Sequence, residues 1–355
     1  MNRVLLLLAA SAGLAAQALV SPDVGPDSRV TFRIAAPKAS EVLFYGDWMP
    51  VGSAKPMEKN AAGIWSLTTD PLPPSVYIYH FIVDGITMAD PVNPRIKLRA
   101  RTSASLLEVP GDGNGIWQPR DVPHGAVEIN YQKSKVLNGE TRWIWIYTPP
   151  GYAASAPKKY PVLYLFHGSN DTAGGWVLAG HMNFILDNLI AQKKAEPMIV
   201  VMPYGHAVPF GSSRELQAKN VDIYEQYLLR DVMPLVREKY RIVGSRDKTA
   251  IAGLSMGGGQ SLGIGMKHLD LFSAIGSFSA PVPHGLEKYM ASLQRAKPLL
   301  WVACGKDDSL YQRSADLAQK LKENGVRHTW RATEGAHTFT VWRQYLAEFV
   351  PLLFH

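Results

Sequence analysis

Apolar, strand-like runs alternate with amphipathic helical segments along the part of the chain that follows residue 124. The runs "KYPVLYLFHG", "PMIVVMPYG" and "KTAIAGLS" are separated, in that order, by "NFILDNLIAQKK" and "YEQYLLRDVMPLVREKY", which have helical periodicity. Alternation of this kind is typical of a mostly parallel sheet that helices cover on both faces. The pattern therefore predicts an α/β domain over residues 124–355.

The preceding part of the chain has a different pattern of apolar and polar residues. Between residues 27 and 109, short alternating runs such as "RVTFRIAA", "SEVLFYG" and "SVYIYHFIVDG" are interrupted by Pro, Gly, Asn and Asp. This spacing is typical of a small antiparallel β-sandwich of the immunoglobulin type. Residues 110–123 are rich in Gly and Pro, so we expect a linker there between an all-β domain and the α/β domain.

The first residues carry the features of an export signal. Arg3 precedes an apolar stretch, and the small-residue pattern Ala16-Gln17-Ala18 follows it. The stretch is interrupted by polar residues and is short for a membrane span. We therefore expect a signal peptide over residues 1–18, a secreted or periplasmic protein, and no stable insertion into a membrane.

Composition argues against several classes of function. The formal net charge is +7, but the 37 Lys and Arg are scattered and form no run of five or more, so nucleic acid is not an expected partner. Cys304 is the single cysteine and lies in the apolar run "LLWVACG", which predicts a buried thiol and excludes a disulfide within the chain. The histidines are dispersed, with neither a H-E-x-x-H helix nor paired cysteines, so we expect no metal site and no cofactor.

A serine surrounded by glycines is the strongest chemical motif. Residues 253–257, "GLSMG", match G-x-S-x-G at the point where the apolar run "KTAIAGL" ends and a helix is predicted to begin. This is the setting of a nucleophile elbow. Because that turn is tight, side chains two positions before and after the serine would collide with backbone, and glycine avoids the collision. Ser255 is thus the predicted nucleophile.

A serine hydroxyl requires a histidine base and a carboxylate that orients the histidine, and in this fold they follow the serine in the order acid, then histidine. Among the histidines after Ser255, His337 lies in "EGAHTFTVW", between the last predicted strand and the last helix. The acid is expected one strand earlier, in "WVACGKDDSLY", where spacing alone does not separate Asp307 from Asp308. One of the two aspartates could instead cap a helix beginning near Ser309.

Two backbone amides are predicted to hold the oxyanion that forms when the serine attacks a carbonyl. One is the N–H of Met256, which follows the nucleophile at the start of a helix. The other is the N–H of Ser169, since the glycine of His167-Gly168 lets backbone approach a substrate closely. His167 itself is expected to brace this loop rather than to act as a base.

Residues 124–355 resemble the esterase D branch of the α/β-hydrolases, in particular the feruloyl and acetylxylan esterases of carbohydrate esterase family 1. The resemblance rests on stretches such as "YPVLYLFHG", "MIVVMPYGHA", "IAGLSMGGGQSLGIG", "ACGKDDSLY" and "GAHTFTVWR". In that family the acid is the third residue after the glycine that ends its strand. On Gly305 this rule implies Asp308 rather than Asp307.

The N-terminal region resembles the early-set domain that precedes glycogen-branching enzymes and some bacterial feruloyl esterases. The stretches "VLFYGDW", "GIWSLTTDPLPPSVYIYHFIVDG" and "DPVNP" carry this resemblance. Some relatives of the domain bind α-glucans through exposed aromatic residues. Trp48 and Trp65 are therefore either glycan contacts or core residues of the sandwich, and packing is the favoured interpretation.

The resemblance implies a secreted serine esterase that hydrolyses ester-linked acyl groups of plant cell-wall polysaccharide, with feruloyl esterase preferred. Gln260, Trp176 and Trp342 are candidate substrate contacts, although each could equally be a packing residue. An acetylxylan esterase and an enterochelin-type siderophore esterase are alternatives, and export argues against the latter and against a cytosolic S-formylglutathione hydrolase. A carbohydrate-binding protein with a decayed hydrolase domain is the non-enzymatic alternative, which the catalytic set of Ser255, Asp308 and His337 disfavours.

Overall fold

The computed structural model describes residues 19–355, so the expected signal peptide over residues 1–18 lies outside the described part of the chain. Within the described part, no helix combines the length and the apolarity needed to cross a membrane.

Residues 23–109 form two antiparallel sheets that pack face to face, here called the N-terminal sandwich. One sheet has the strand order β1-β2-β6-β5, and the other has the order β4-β3-β7-β10-β9, with β8 paired to β7. The strands are β1 (Asp23–Val24), β2 (Val30–Ala35), β3 (Val42–Gly46), β4 (Lys55–Pro56), β5 (Glu58–Lys59), β6 (Ile64–Thr68), β7 (Ser75–Val83), β8 (Ile86–Met88), β9 (Ile96–Lys97) and β10 (Ala104–Val109). The predicted all-β sandwich is confirmed, and its strand pairing begins at Asp23, upstream of the expected start at residue 27.

Alternating side chains of both sheets meet in an aromatic core. The ring of Phe32 on β2 lies 4.3 Å from that of Phe44 on β3 and 4.6 Å from that of Tyr79 on β7. Trp65 is buried in this core and donates its indole N–H to Ala36 O (2.9 Å), and Trp48 packs edge-on against the core. Both tryptophans are therefore packing residues of the sandwich.

The α/β part is built on a single sheet with the order β11-β12-β14-β13-β15-β16-β17-β18. Strands β13 to β18 run parallel, and β11 and β12 add an antiparallel edge. The strands are β11 (Ala126–Lys133), β12 (Thr141–Thr148), β13 (Val162–Phe166), β14 (Ile199–Pro203), β15 (Thr249–Leu254), β16 (Ala274–Phe278), β17 (Leu299–Gly305) and β18 (Thr329–Thr333).

Helices cover both faces of this sheet, and apolar clusters fill the two interfaces. The helices are α1 (Gly175–Leu178), α2 (Met182–Ala191), α3 (Arg214–Ala218), α4 (Asn220–Tyr227), α5 (Met233–Lys239), α6 (Met256–Lys267), α7 (Met290–Ala296), α8 (Tyr311–Glu323) and α9 (Phe339–Phe349). The central strands β13 and β15 are buried along their whole length, which explains why their sequences are apolar without alternation. The arrangement is the α/β-hydrolase fold that the sequence predicts.

One local expectation needs correction. The segment expected to form one regular helix, "YEQYLLRDVMPLVREKY", is interrupted by a π turn over Leu228–Val232 between α4 and α5. Pro234 follows this turn and has no N–H to donate to the preceding turn, so a regular α-helical ladder cannot continue through it. The helix expected to begin near Ser309 begins two residues later, at Tyr311.

The N-terminal sandwich packs directly on the α/β part. The outer face of β7 and β10 belongs to the same buried apolar cluster as α1 and α9, through Val76, Ile78, Ala104, Leu106, Trp176 and Phe339. Residues 110–123 contain no helix or strand and lie against α2, where Asn188 donates hydrogen bonds to the carbonyls of Ile116 (2.8 Å) and Gln118 (2.9 Å). The expected linker is thus fixed to the surface that it crosses.

Candidate active site

Ser255 lies at the sharp turn between β15 and α6. Its backbone angles are φ 51° and ψ −122°, a region that non-glycine residues rarely adopt. A Cβ on Gly253 would lie 2.5 Å from the Gly257 backbone, and a Cβ on Gly257 would lie 2.6 Å from His167 O. Glycine at these two positions allows the turn, and the turn exposes the serine side chain above the sheet.

His337 and Asp308 are brought together from neighbouring loops. Asp308 follows β17 and His337 lies between β18 and α9, and the His337 Nδ1 and Asp308 Oδ2 atoms are 2.7 Å apart. The other carboxylate oxygen of Asp308 accepts the Leu310 N–H (2.9 Å). Burial alone would raise the pKa of Asp308, but the hydrogen bond and the charge of His337, together with the Leu310 N–H, hold this pKa below its ordinary value. Asp308 is therefore an anion, and it is placed to orient the His337 imidazole.

Asp307 has a different environment. Its carboxylate is exposed and accepts the Gly335 N–H (3.2 Å), and it neither contacts His337 nor caps a helix. The pair that spacing left open is thus distinguished by geometry, and Asp308 is the aspartate that reaches the histidine.

The side chains of Ser255 and His337 line one cavity of about 580 Å³. No hydrogen bond joins the two side chains in the described structure, and such bonds commonly tighten only when a substrate is bound. The indole of Trp342 stands perpendicular to the imidazole, with ring centroids 4.8 Å apart, and limits the movement of His337 on that side.

Two backbone amides flank the serine. Among the described residues, no protein acceptor is found for the N–H of Met256, the first residue of α6, or for the N–H of Ser169. A Cβ on Gly168 would lie 3.3 Å from Ser255 Cβ, so the loop after β13 approaches the serine closely. The two amides are available to an oxygen atom bound beside Ser255.

His167 braces the loops rather than facing the cavity. Its Nε2 accepts the Gly205 N–H (2.8 Å), and burial lowers its pKa to about 4. The imidazole is therefore neutral near pH 7 and fixes the loop after β13 to the loop after β14, as the sequence suggested.

The proposed substrate contacts divide into two groups. Trp342 lines the cavity, but Gln260 and Trp176 are each 0% exposed and do not. Gln260 donates to Gly205 O (2.9 Å) and Trp176 donates to Phe166 O (2.9 Å). The two side chains therefore fix α6 to the loop after β14 and α1 to β13. Of the two alternatives left open by the sequence, Gln260 and Trp176 are packing residues in this structure and do not line the cavity.

One wall of the cavity was not expected from the sequence. It comes from the N-terminal sandwich and includes Tyr45, Asp47, Ile78, His80, Lys97 and Arg99. The available signal was weak: within the run on β7, "VYIY" is apolar at four successive positions, which favours burial of both faces there, but nothing in the sequence says what covers the second face.

Other ionisable groups in residues 19–355 offer little further chemistry. No group of three or more His, Cys, Asp or Glu side chains in this part of the chain is arranged to hold a metal ion. Cys304 is buried, and burial raises its pKa to about 11, so the thiol is not activated.

The chain is similar in sequence to known esterases. A family model described as "Putative esterase" matches residues 134–353. The endo-1,4-beta-xylanase/feruloyl esterase of Xylanibacter ruminicola is 28% identical over 345 residues, which are 94% of this chain and 46% of that protein. The chain thus spans about half the length of this curated relative.

Solved structures share the fold. A ferulic acid esterase of Anaeromyces mucronatus in complex with ferulic acid has a TM-score of 0.62 at 24% identity, covering 69% of this chain and 96% of that one. The enterobactin esterase of Shigella flexneri has a TM-score of 0.66 at 19% identity, covering 91% of this chain and 92% of that one. The second match extends over both the sandwich and the α/β part.

Proposed function

The chain belongs to the family described as putative esterases, and from that membership we propose that it is an exported serine esterase which releases hydroxycinnamoyl groups, feruloyl above all, from plant cell-wall polysaccharide. That it is a carboxylic ester hydrolase follows from the family. The observation that carries the proposal is that Ser255, Ser169 and His337 line one cavity, with His337 paired to Asp308 and the Met256 amide directly following Ser255. Export rests on the sequence of residues 1–18.

The proposed reaction begins with attack by Ser255 Oγ on the ester carbonyl. With its Nδ1–H donated to Asp308, His337 has Nε2 as the acceptor for the serine proton. The Met256 and Ser169 amides donate to the oxyanion of the tetrahedral intermediate, and the N-terminus of α6 adds its positive end.

Collapse of the intermediate releases the alcohol. His337 returns the proton to the departing sugar oxygen, and the acyl group remains on Ser255. Water then gives a proton to His337 and attacks the acyl carbon, and the second collapse frees the carboxylic acid and the serine. Every proton passes through His337, and no cofactor takes part.

Support for an aromatic acyl group comes from the rings that face the site. Phe339 and Trp342 both line the cavity and pack edge to face, with ring centroids 5.1 Å apart. Both rings also belong to the core between α9 and the sheet, so they form a rigid apolar wall. Contact with a planar hydroxycinnamoyl ring would add about 1 kcal/mol per aromatic pair.

A second candidate has a specific observation in its favour. The enterobactin esterase of Shigella flexneri matches over nearly the whole chain, including the sandwich. An aryl-substituted trilactone siderophore is therefore the alternative substrate class, and acetylated xylan is the alternative for an enzyme with no aryl preference.

A substrate panel on one purified preparation tests the proposal. We expect methyl ferulate to be hydrolysed with a kcat/KM about tenfold or more above those of acetylated xylan and a trilactone siderophore, because its hydroxycinnamoyl group places a planar ring next to the ester carbonyl, where it can contact Phe339 and Trp342. The Ser255→Ala variant is the blank. A preference for either other substrate would reassign the enzyme to that class, and absence of Ser255-dependent hydrolysis of all three would contradict the proposal.

A further inference from the structure

A buried ion pair joins the N-terminal sandwich to the α/β part beside the active site. Lys97, the last residue of β9, contacts the Asp171 carboxylate through its ammonium group. Lys97 is 1% exposed and Asp171 is 5% exposed. Removing one partner of a buried pair leaves an uncompensated charge, so this contact fixes the two segments to each other.

Asp171 organises the segment that carries Ser169, here called the oxyanion loop (residues 167–174). The Asp171 Oδ1 atom accepts the Thr172 N–H (2.7 Å), and the Asp171 N–H donates to Gly168 O (3.1 Å). A Cβ on Gly175 would collide with the Asp171 carboxylate, so α1 begins directly against it. The loop is folded around one carboxylate, and that carboxylate is held by Lys97.

Lys97 also lies against the segment that carries the base. Its ammonium group is 5.3 Å from the centroid of the Phe339 ring, two residues after His337. One side chain of the sandwich therefore touches both segments on which the proposed base and the second oxyanion donor are placed.

The charged groups around Lys97 do not substitute for this contact. Burial lowers the pKa of Lys97, and the charge of Asp171, followed by their hydrogen bond, opposes the shift. The charges of Arg99 and Asp47 also act on the pKa of Lys97, but among the described residues the ion pair of Lys97 is with Asp171. Asp171 is thus the counter-charge that Lys97 contacts.

We infer that Lys97 is a positioning residue for ester cleavage, which holds the Ser169 amide at the oxyanion through Asp171, and that the N-terminal sandwich is thereby part of the catalytic apparatus. This inference rests on the proposed function. It gives the sandwich a role that does not depend on binding a glycan.

The test uses the full chain with Lys97→Met, p-nitrophenyl acetate as substrate, and the rate at which a fluorophosphonate labels Ser255. Removing one oxyanion donor lowers kcat by about 100- to 1000-fold in a serine protease. Because Lys97→Met displaces the donor without deleting it, we expect a smaller loss in kcat of about 10-fold to 100-fold, with KM within about 3-fold of wild type. Phosphonylation should slow in parallel, because the phosphonyl oxygen uses the same donors. Lys97→Arg should recover much of the rate by keeping the cation.

Ser75→Ala is the matched control. Arg343 joins the same two parts of the chain by donating to Ser75 Oγ (2.6 Å) and Val76 O (3.0 Å). Ser75 Oγ also meets Thr340 Oγ1 of α9 (3.1 Å), but among the described residues it forms no hydrogen bond with the oxyanion loop or with His337. We expect this variant to keep its kcat. Equal loss in Ser75→Ala and Lys97→Met, or failure of Lys97→Arg to restore the rate, would reduce Lys97 to an ordinary interface residue.

A second variant covers the case in which Lys97→Met does not fold. Lys97→Met combined with Asp171→Leu removes both charges and leaves no unpaired ion in the interface, so it should fold while the loop stays untethered. A wild-type kcat in a folded single or double variant would overturn the inference. If the wild-type chain shows no Ser255-dependent hydrolysis, that result would instead count against the proposed function. The rates of Ser255 phosphonylation in the variants would still show whether the Ser169 amide has moved.

Discussion

At the scale of single residues, adjacent aspartates with the same chemistry have different roles because of where the backbone directs them. The Asp308 side chain is buried against His337, whereas the exposed Asp307 carboxylate holds the Gly335 N–H of the neighbouring loop. Spacing alone does not choose between them, and in the sequence only the family resemblance favours Asp308. A one-residue difference in a loop is set by tertiary hydrogen bonds, which the local sequence does not encode.

We expect Asp308→Asn to lower kcat by roughly 10³-fold or more, because the amide no longer holds the imidazole in the tautomer that accepts the serine proton. Asp307→Asn is the matched control, since the amide oxygen can still accept the Gly335 N–H, and its kcat should stay within about 3-fold of wild type. Steady-state hydrolysis of p-nitrophenyl acetate compares the two variants. A severe loss in Asp307→Asn with a mild loss in Asp308→Asn would show that the wrong carboxylate has been chosen.

At the scale of elements, the strand–turn–helix unit of β15 and α6 determines the position of Ser255. Its glycines fall into two kinds. Gly257 faces backbone of the neighbouring strand, and a Cβ there would lie 2.6 Å from His167 O and 2.7 Å from Phe166 C. Gly263, two turns along the same helix, would place its Cβ no closer than 3.8 Å to its nearest neighbours. Only the first glycine is required for close approach.

Gly257→Ala should therefore lower the free energy of unfolding by about 2 kcal/mol or more, since backbone must move to admit the methyl group. Gly263→Ala is the control in the same helix, and we expect it to raise the free energy of unfolding by about 0.5–1 kcal/mol through the higher helix propensity of alanine. Urea denaturation of both variants measures the difference. Equal effects of the same sign would contradict the packing argument.

Prediction from sequence was most successful for elements with a long, regular pattern. The buried runs on β13, β14 and β15 predicted parallel strands because an apolar run without alternation requires cover on both faces. The π turn at Leu228–Val232 was missed, since a helical period looks the same on either side of it. The sequence left open whether Gln260 and Trp176 contact substrate or pack, because closeness in sequence to a predicted site segment does not determine which way a side chain faces.

At the scale of the whole molecule, the sandwich and the α/β part form one cavity between them. Strand β7 packs its inner face in the sandwich core and its outer face against α1 and α9, and Lys97 extends the contact to the oxyanion loop. These contacts join residues that are far apart in the chain, such as Lys97 and Asp171. No local pattern marks such pairs. The sequence therefore predicted two domains but not that residues of both domains line one cavity.

The central claim is that ester hydrolysis by this molecule proceeds through a covalent bond to Ser255, and one titration tests it directly. Activity toward methyl ferulate is measured while a fluorophosphonate is added in steps, and intact-mass spectrometry counts the phosphonyl groups on each chain. We expect activity to fall in proportion to labelling and to reach zero at one group per chain, located on Ser255 and absent from the Ser255→Ala variant. Hydrolysis that survives complete labelling of Ser255, or inactivation by a group attached elsewhere, would contradict the claim.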